Sequence, residues 1–481
     1  MEKPSIMISR TCCYHHPQLW FAILLSFLLC TLILTHFNYS SSFEPVVFNN
    51  VEQEQQQEQD LCHGKYVYIH DLPPRFNRYI IDHCDSLTRG TDKPNMCPYM
   101  KNMGFGPRIY SPESPHLFTN NTWYETNQFS LELIFHNKMR NYKCLTNKSW
   151  EASAIYVPFY AGLDISRFLW VSNLTVRDAS GRDLARWLWS QKEWKRMWGR
   201  DHFLISGRIS WDFRRQHDTL SGWGSNFRFL PESMNMSMLS VEASSWNNDY
   251  AVPYPTSFHP LKELEILEWQ RKMRKRKRPH LFTFTGAPRP EMKDSIREKV
   301  IEHCRSSQAC KFIDCSYGKE KCDNPVNVIM EFGDSVFCLQ PPGDSYTRRS
   351  IFDSMVAGCV PVFFHPGTAY SQYKWNLPEN RTRYSVYIPV RDVKEWDKRN
   401  ISVEKELMKI PEDEVVALRE EVIKLIPSIV YADPRSEIED AFNLAVKGIL
   451  ERIERVRDEI RNGRDPRIGF ADEDHYKYTF N

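Results

Sequence analysis

The chain has 481 residues, 41% of them apolar and 13% aromatic, and a formal net charge of +2. That length is too great for one compact core and points to two domains, and that composition excludes a chain disordered throughout. The near-balanced charge excludes a nucleic-acid-binding surface spread over the whole molecule.

Residues 1–18 are expected to be a cytosolic tail and Leu19 to Phe37 a transmembrane signal anchor. The run contains no Asp, Glu, Lys or Arg, and as a helix it would span roughly 28 Å, enough for a thin bilayer. Lys3 and Arg10 precede it and the next Lys or Arg is Lys65, so the positive-inside rule places everything beyond it in a lumen. The rival, a cleaved signal peptide, would have a shorter apolar core and a small-x-small cleavage site, which this run lacks. Residues 38–61, with Glu52-Gln-Glu-Gln-Gln-Gln-Glu-Gln-Asp60 near their end, are too polar to bury a core and read as a stem.

Residues 62–270 are expected to form an α/β domain on the acceptor side. Lys65 to His70, Ala154 to Pro158 and His202 to Ser206 are short apolar strand candidates. Trp123, Asn127, Leu131, Ile134, Phe135 and Met139 share a helical face and predict a helix over 123–139. The junction Arg271-Lys-Met-Arg-Lys-Arg-Lys-Arg278 matches a nuclear signal as text. In a luminal chain it reads as a solvated linker or helix end, or as a weak steering field for anionic donors.

Residues 279–470 are expected to form a second α/β domain, doubly wound, with strands at 281–285, 311–314, 336–339, 360–364 and 385–389 and helices at 292–303, 411–426 and 435–460. Val336 to Leu339 is stopped by Pro341, Pro342 and Gly343. Ser345 is the expected cap of the next helix and Gly358 its end. The Gly343 turn, that helix N-terminus and Arg348-Arg349 together make a diphosphate site, because outward N–H groups, the helix dipole and guanidinium forks all favour anions.

Ten cysteines follow the apolar run, from Cys62 on, and Cys304, Cys310, Cys315 and Cys322 crowd together. Their spacing fits no common zinc knuckle, so disulfides formed in an oxidising lumen are the better reading. Sequons at Asn120, Asn147, Asn173, Asn235, Asn380 and Asn400 agree with a lumen; a seventh, Asn38, lies at the membrane edge.

The block from Phe337 to Phe364 resembles the donor-site block of the exostosin-type glycosyltransferases, and most closely their plant xyloglucan galactosyltransferase branch. Tyr66-Val-Tyr-Ile-His-Asp-Leu-Pro-Pro-Arg-Phe-Asn77, Ile155-Tyr-Val-Pro-Phe-Tyr-Ala-Gly162, Gly199-Arg-Asp-His-Phe203 and Phe282-Thr-Phe-Thr-Gly-Ala-Pro-Arg-Pro290 resemble that family's other markers in the same order. The resemblance implies two Rossmann-like domains facing a cleft (GT-B). It also implies a Golgi type II enzyme that moves galactose from UDP-galactose, with inversion, to xylosyl side chains of xyloglucan. Other Golgi glycosyltransferases are candidate partners.

Transfer from a nucleotide-sugar requires the diphosphate leaving group to be stabilised and the acceptor hydroxyl deprotonated. The chain's single Asp-x-Asp, Asp472-Glu-Asp474, sits in a polar tail and reads as a solvated end rather than a metal site. No metal and no cofactor are therefore expected, and the charge falls to Arg348 and Arg349, with Arg208 and Arg289 as further cations. Asp353 either binds ribose or sugar hydroxyls, as related families suggest, or pairs with Arg349 one helical turn away. Asp71, Asp164 and His202 are the candidate bases, each with a structural alternative as turn former, helix cap or hydrogen-bonded histidine. Other donors (UDP-galacturonate, UDP-arabinose) and a non-catalytic scaffold remain open alternatives. A glycoside hydrolase, which needs two opposed carboxylates and no phosphate site, fits less well.

Overall fold

Among the described residues, ten strands form two five-stranded sheets, and every pairing is parallel. The computed structural model describes residues 61–466 except 88–94, 112–116, 119–120, 220–221, 293–294, 317–321, 323 and 397–400, together with Ser26, Leu28, Leu29, Thr31 and Leu32. Those five N-terminal residues are helical; the rest of the expected anchor, the tail at 1–18 and the stem at 38–60 lie outside the described residues. Among the described residues no helix is long and apolar enough to cross a membrane.

The first sheet holds β1 (Val67–Ile69), β2 (Ala154–Tyr156), β3 (His202–Ile209), β4 (Ser237–Glu242) and β5 (Asp249–Ala251), side by side in chain order. Its register sets Tyr156 beside Phe203 and Ile205 beside Leu239. Parallel strands need both faces covered. Helix α1 (Leu131–Arg140) packs Leu131, Ile134 and Phe135 with Tyr156, Phe203 and Ile205. Helix α2 (Ala161–Ser166) and helix α3 (Leu174–Ser190) instead bring Ile165, Leu184 and Leu188 to Leu204 and Met238.

Helix α4 (Glu263–Lys275) leads to the second sheet, of β6 (His280–Gly286), β7 (Cys310–Asp314), β8 (Ser335–Gln340), β9 (Val360–Phe363) and β10 (Val386–Tyr387). Its order is β10-β9-β8-β6-β7. The chain steps outward from β6 to β7, then returns to lay β8 on the other side of β6. This is the doubly wound pattern, and it opens a crevice at the carboxyl ends of β6 and β8. The first sheet has no such reversal, so the two halves are alike as parallel α/β layers and differ in winding.

Between these strands lie α5 (Arg297–Ser306), α6 (Pro325–Gly333) and α7 (Ser350–Val356), and after them α8 (Glu412–Lys424) and α9 (Ala441–Arg461). Helix α9 returns to the first half. Phe442 meets Phe135 edge to face at 4.8 Å, and the buried Lys138 pairs with Asp440, the α9 cap, at 2.8 Å. One apolar core runs from Val67 and Phe135 through Trp269 to Phe352 and Tyr431.

Several boundaries differ from the sequence reading. The helix expected over 123–139 begins only at Leu131, because Trp123 and Tyr124 are drawn into bridges with Phe258 and Arg108. The helix expected from Arg435 starts at Ala441, where Asp440 supplies the capping box, and the helix expected from Met292 starts at Arg297. Ser345 does not cap the donor-block helix: α7 begins at Ser350 with Arg349 at its N-cap. The basic junction is the last turn of α4 and its exit. There Arg278 donates to the carbonyls of Phe332, Ser335 and Ala357, and Arg276 pairs with Asp334.

All ten cysteines from Cys62 on are disulfide-bonded. Four pairs are Cys84–Cys97, Cys304–Cys310, Cys315–Cys322 and Cys338–Cys359. The last ties β8 to the residue before β9, within the segment from Phe337 to Phe364.

Candidate active site

A cleft of about 280 Å³ opens where the carboxyl ends of both sheets meet. Arg208 and Asp212 line it from the end of β3 and the turn beyond, Arg289 from the loop after β6, and Asp344, Ser345 and Arg348 from the loop after β8. Arg297, the first residue of α5, completes the wall. The second sheet's switch point therefore forms one side of the cleft, where ligands of doubly wound sheets bind.

Four guanidinium groups gather here, in two kinds. Arg208 is neutralised by Asp212 (2.6 Å) and lies over the Phe129 ring; Arg289 is neutralised by Asp344 (2.6 Å). Arg297 and Arg348 have no carboxylate partner among the described residues. Arg297 is 4% exposed and donates to the carbonyls of Pro342 (2.9 Å) and Ala287 (2.8 Å). Arg348 reaches the Ser345 carbonyl at 3.4 Å and leaves its Nε without a partner. Burial pushes Arg297 down to about 9, with the charge of Arg348 lowering it further, and burial pushes Arg348 down to about 10. Both close over Gly343, where a Cβ would stand 2.6 Å from Arg348 Nη2 and 2.8 Å from Arg297 Nη2. Two desolvated like charges are costly unless an anion joins them, and paired forks match a diphosphate. Since α7 has only seven residues and starts beyond the turn, guanidinium groups rather than a helix dipole form this site.

The loop is held from the other sheet. Glu242, the last residue of β4, is fully buried and accepts from the Thr347 N–H (2.8 Å) and the Thr347 hydroxyl. Burial pushes its carboxyl up, against the pull of the Thr347 hydrogen bonds. On the first-half wall, Asp212 accepts from Arg208 Nε and from the Trp223 indole N–H (2.5 Å). It is the one carboxylate that this half contributes to the lining among the described residues. Arg297, Glu242 and Asp212 sit in no motif. The signal available for Asp212 was positional, because it lies just beyond the carboxyl end of a parallel strand.

Arg208, Arg289, Ser345 and Arg348 are brought together, with Gly343 beneath them. Arg349 and Asp353 are not part of that group. Arg349 pairs with Asp353 (3.1 Å) and donates to the Thr126 carbonyl and Ser257 Oγ, so it ties the halves together. Both line a second cavity of about 350 Å³, which shares Gln128 with the first; in it Asp353 Oδ1 and Thr285 Oγ1 have no hydrogen-bond partner.

None of the three candidate bases lines the cleft. Asp164 is buried in α2, bonded to Arg167 and to Ser180 (3.1 Å). His202 begins β3, at the end opposite Arg208. It is buried between Asp201 (2.7 Å) and His70 (3.1 Å), an environment of strand packing. Asp71 is exposed beyond β1. Among the described residues no group of three or more His, Cys, Asp or Glu side chains could hold a metal ion; Asp472 to Asp474 lie outside them. Asn147, Asn173 and Asn380 are exposed, whereas Asn235 is half-buried and donates to the Trp198 carbonyl. Asn120 and Asn400 lie outside the described residues.

Residues 61–407 match the model of the exostosin GT47 domain. The chain is 57% identical to the probable xyloglucan galactosyltransferase GT14 of Arabidopsis thaliana, over 96% of this chain and 92% of that one. It is 48% identical to the Arabidopsis xyloglucan galactosyltransferase MUR3, over 92% and 72% respectively. Among solved structures, the pneumococcal O-GlcNAc transferase GtfA in complex with UDP and GlcNAc is similar at 12% identity and TM-score 0.28, covering 59% of this chain and 60% of that one. The spinosyn rhamnosyltransferase SpnG is similar at 10% and 0.28, covering 80% and 99%.

Proposed function

Because the chain belongs to the exostosin GT47 family, we propose that it is an inverting glycosyltransferase moving galactose from UDP-galactose to xylosyl side chains of xyloglucan. The names of its relatives support the substrates. The observation that carries the chemistry is the pair Arg297 and Arg348, closed over Gly343 without a carboxylate partner. Two parallel-sheet halves meeting at this cleft are, in this reading, a GT-B arrangement.

The acceptor hydroxyl oxygen attacks the anomeric carbon of galactose as the bond from that carbon to the UDP oxygen breaks. Negative charge develops on the diphosphate, where Arg297 and Arg348 meet it, already oriented and sheltered from water. In this reading the hydroxyl proton passes to Asp212, the carboxylate on the first-half wall. Arg289, held by Asp344, borders the same pocket. Asp353 and Thr285 offer partners to donor hydroxyls in the second cavity. No metal or cofactor is assigned to this mechanism. A uronic-acid donor would require a further cation, and Arg208 and Arg289 already carry carboxylate partners.

The extensive disulfide bonding and the exposed sequons at Asn147, Asn173 and Asn380 support a luminal body, on a Golgi type II anchor at Leu19 to Phe37. The test is to incubate the full chain with xyloglucan oligosaccharides and separate UDP-sugars and to weigh the products. Gain of one hexose from UDP-galactose alone is expected; gain from another donor, or from none, overturns the reading.

A further inference from the structure

An exposed tryptophan lines the cleft, and a second exposed tryptophan packs against it. Trp223, the first, is 37% exposed; Trp170, the second, is 55% exposed and meets Trp223 edge to face, with centroids 4.8 Å apart and planes at 79°. Trp223 is fixed by its N–H bond to Asp212, the carboxylate that also holds Arg208. Indoles of this size ordinarily bury most of their surface. Neighbouring indoles left open beside a polar cleft make the kind of apolar patch that marks a binding surface.

The patch has a chemistry of its own. A pyranose ring carries a face of C–H groups and a rim of hydroxyls. The negative face of an indole matches the first, and the second stays in water. The diphosphate cations lie on the opposite wall, so an occupant of this ledge enters from the first half and reaches Asp212 through Trp223.

We propose that Trp170 and Trp223 form an acceptor ledge, on which a sugar of the polysaccharide stacks beside the unit that receives the transferred residue. The ledge rests on the galactosyl-transfer reading for the identity of that polysaccharide. Trp170 is the position to test, because removing Trp223 would also disturb Asp212.

The experiment compares wild type, Trp170→Ala, Trp170→Phe and Trp189→Ala in the full chain; Trp189 is exposed but packs against Trp198, away from the cleft. Retention in xyloglucan-containing gels, KM for polymeric acceptor, and UDP affinity by calorimetry are measured. Trp170→Ala should lose retention and raise the acceptor KM about tenfold, with kcat and UDP affinity unchanged. Trp170→Phe should recover much of the loss, and Trp189→Ala should match wild type. Wild-type retention and KM in Trp170→Ala, or an equal loss of UDP affinity, overturn the ledge. If wild type is retained through Trp170 yet transfers no galactose, the ledge stands and the transfer reading falls. If it transfers galactose and Trp170→Ala is indistinguishable from it, the transfer reading stands and the ledge falls.

Discussion

Glu242 at the end of β4 holds Thr347 in the loop after β8, accepting both its backbone N–H and its hydroxyl from across the cleft. The first sheet thus fixes the loop that carries Arg348, and Tyr254 adds a hydroxyl contact to Thr347 at 3.1 Å. Glu242→Ala would leave the buried Thr347 N–H unsatisfied, at a cost of about 1–3 kcal/mol. The melting temperature and the UDP affinity should both fall. Glu242→Gln, which keeps an acceptor oxygen, should lose less of each by scanning fluorimetry and calorimetry.

Substitution of Arg348 should act in opposite directions on activity and stability. Arg348→Ala removes a donor aimed at the developing charge, so turnover should drop by about 10²–10³. It also removes one of two desolvated like charges, so the melting temperature of the ligand-free protein should stay level or rise. Arg297→Ala should lose turnover likewise, but it also strips the donors from the Pro342 and Ala287 carbonyls, so its melting temperature should fall. An Arg348→Ala variant that loses both activity and stability would place that arginine in the scaffold instead.

Gly343→Ala tests the same geometry by crowding. The added methyl would meet both guanidinium groups, forcing them apart. Donor affinity should fall although no charge is lost, and circular dichroism should be unchanged.

The acid limb of stability should come from buried neutral histidines. Burial pushes His70, His136 and His259 each down to about 3. The unfolded chain takes up protons near the ordinary histidine value of about 6.5 while the folded chain does not. Stability is therefore fully present above that value and is lost as pH falls below it toward 3. The melting temperature should decline from neutral pH to pH 5. His259→Gln should flatten that slope, because one proton-binding difference is gone.

The second half was the more legible in sequence. Its strands are buried on both faces, so 336–339 and 360–364 read as unbroken apolar runs, and Gly358 ended its helix as expected, with a positive φ. In the first half, Ser-Met-Leu-Ser-Val-Glu at β4 mixes polar and apolar residues, and its burial comes from distant helices that no local window contains. The Arg348-Arg349 pair reads in sequence as one cationic unit, yet consecutive side chains diverge, and only Arg348 faces the cleft. The partner of Arg348 is Arg297, far away in sequence and brought near by the doubly wound topology.

Catalysis by built-in guanidinium groups predicts indifference to chelation. Turnover should persist in excess EDTA, and Asp472→Ala should leave it intact. Weak stimulation by divalent ions through product release is compatible; loss in EDTA reversed by Mn²⁺ is not.

The central claim is that Arg297 and Arg348 hold the diphosphate of the donor at the Gly343 turn. Calorimetric titration of UDP and UMP into wild type, Arg297→Ala and Arg348→Ala, all in EDTA, tests it most directly. The account predicts that wild type binds UDP more tightly than UMP and that either substitution removes that difference while UMP binding persists. Equal affinity of wild type for UDP and UMP, or an unchanged preference in both variants, would contradict it.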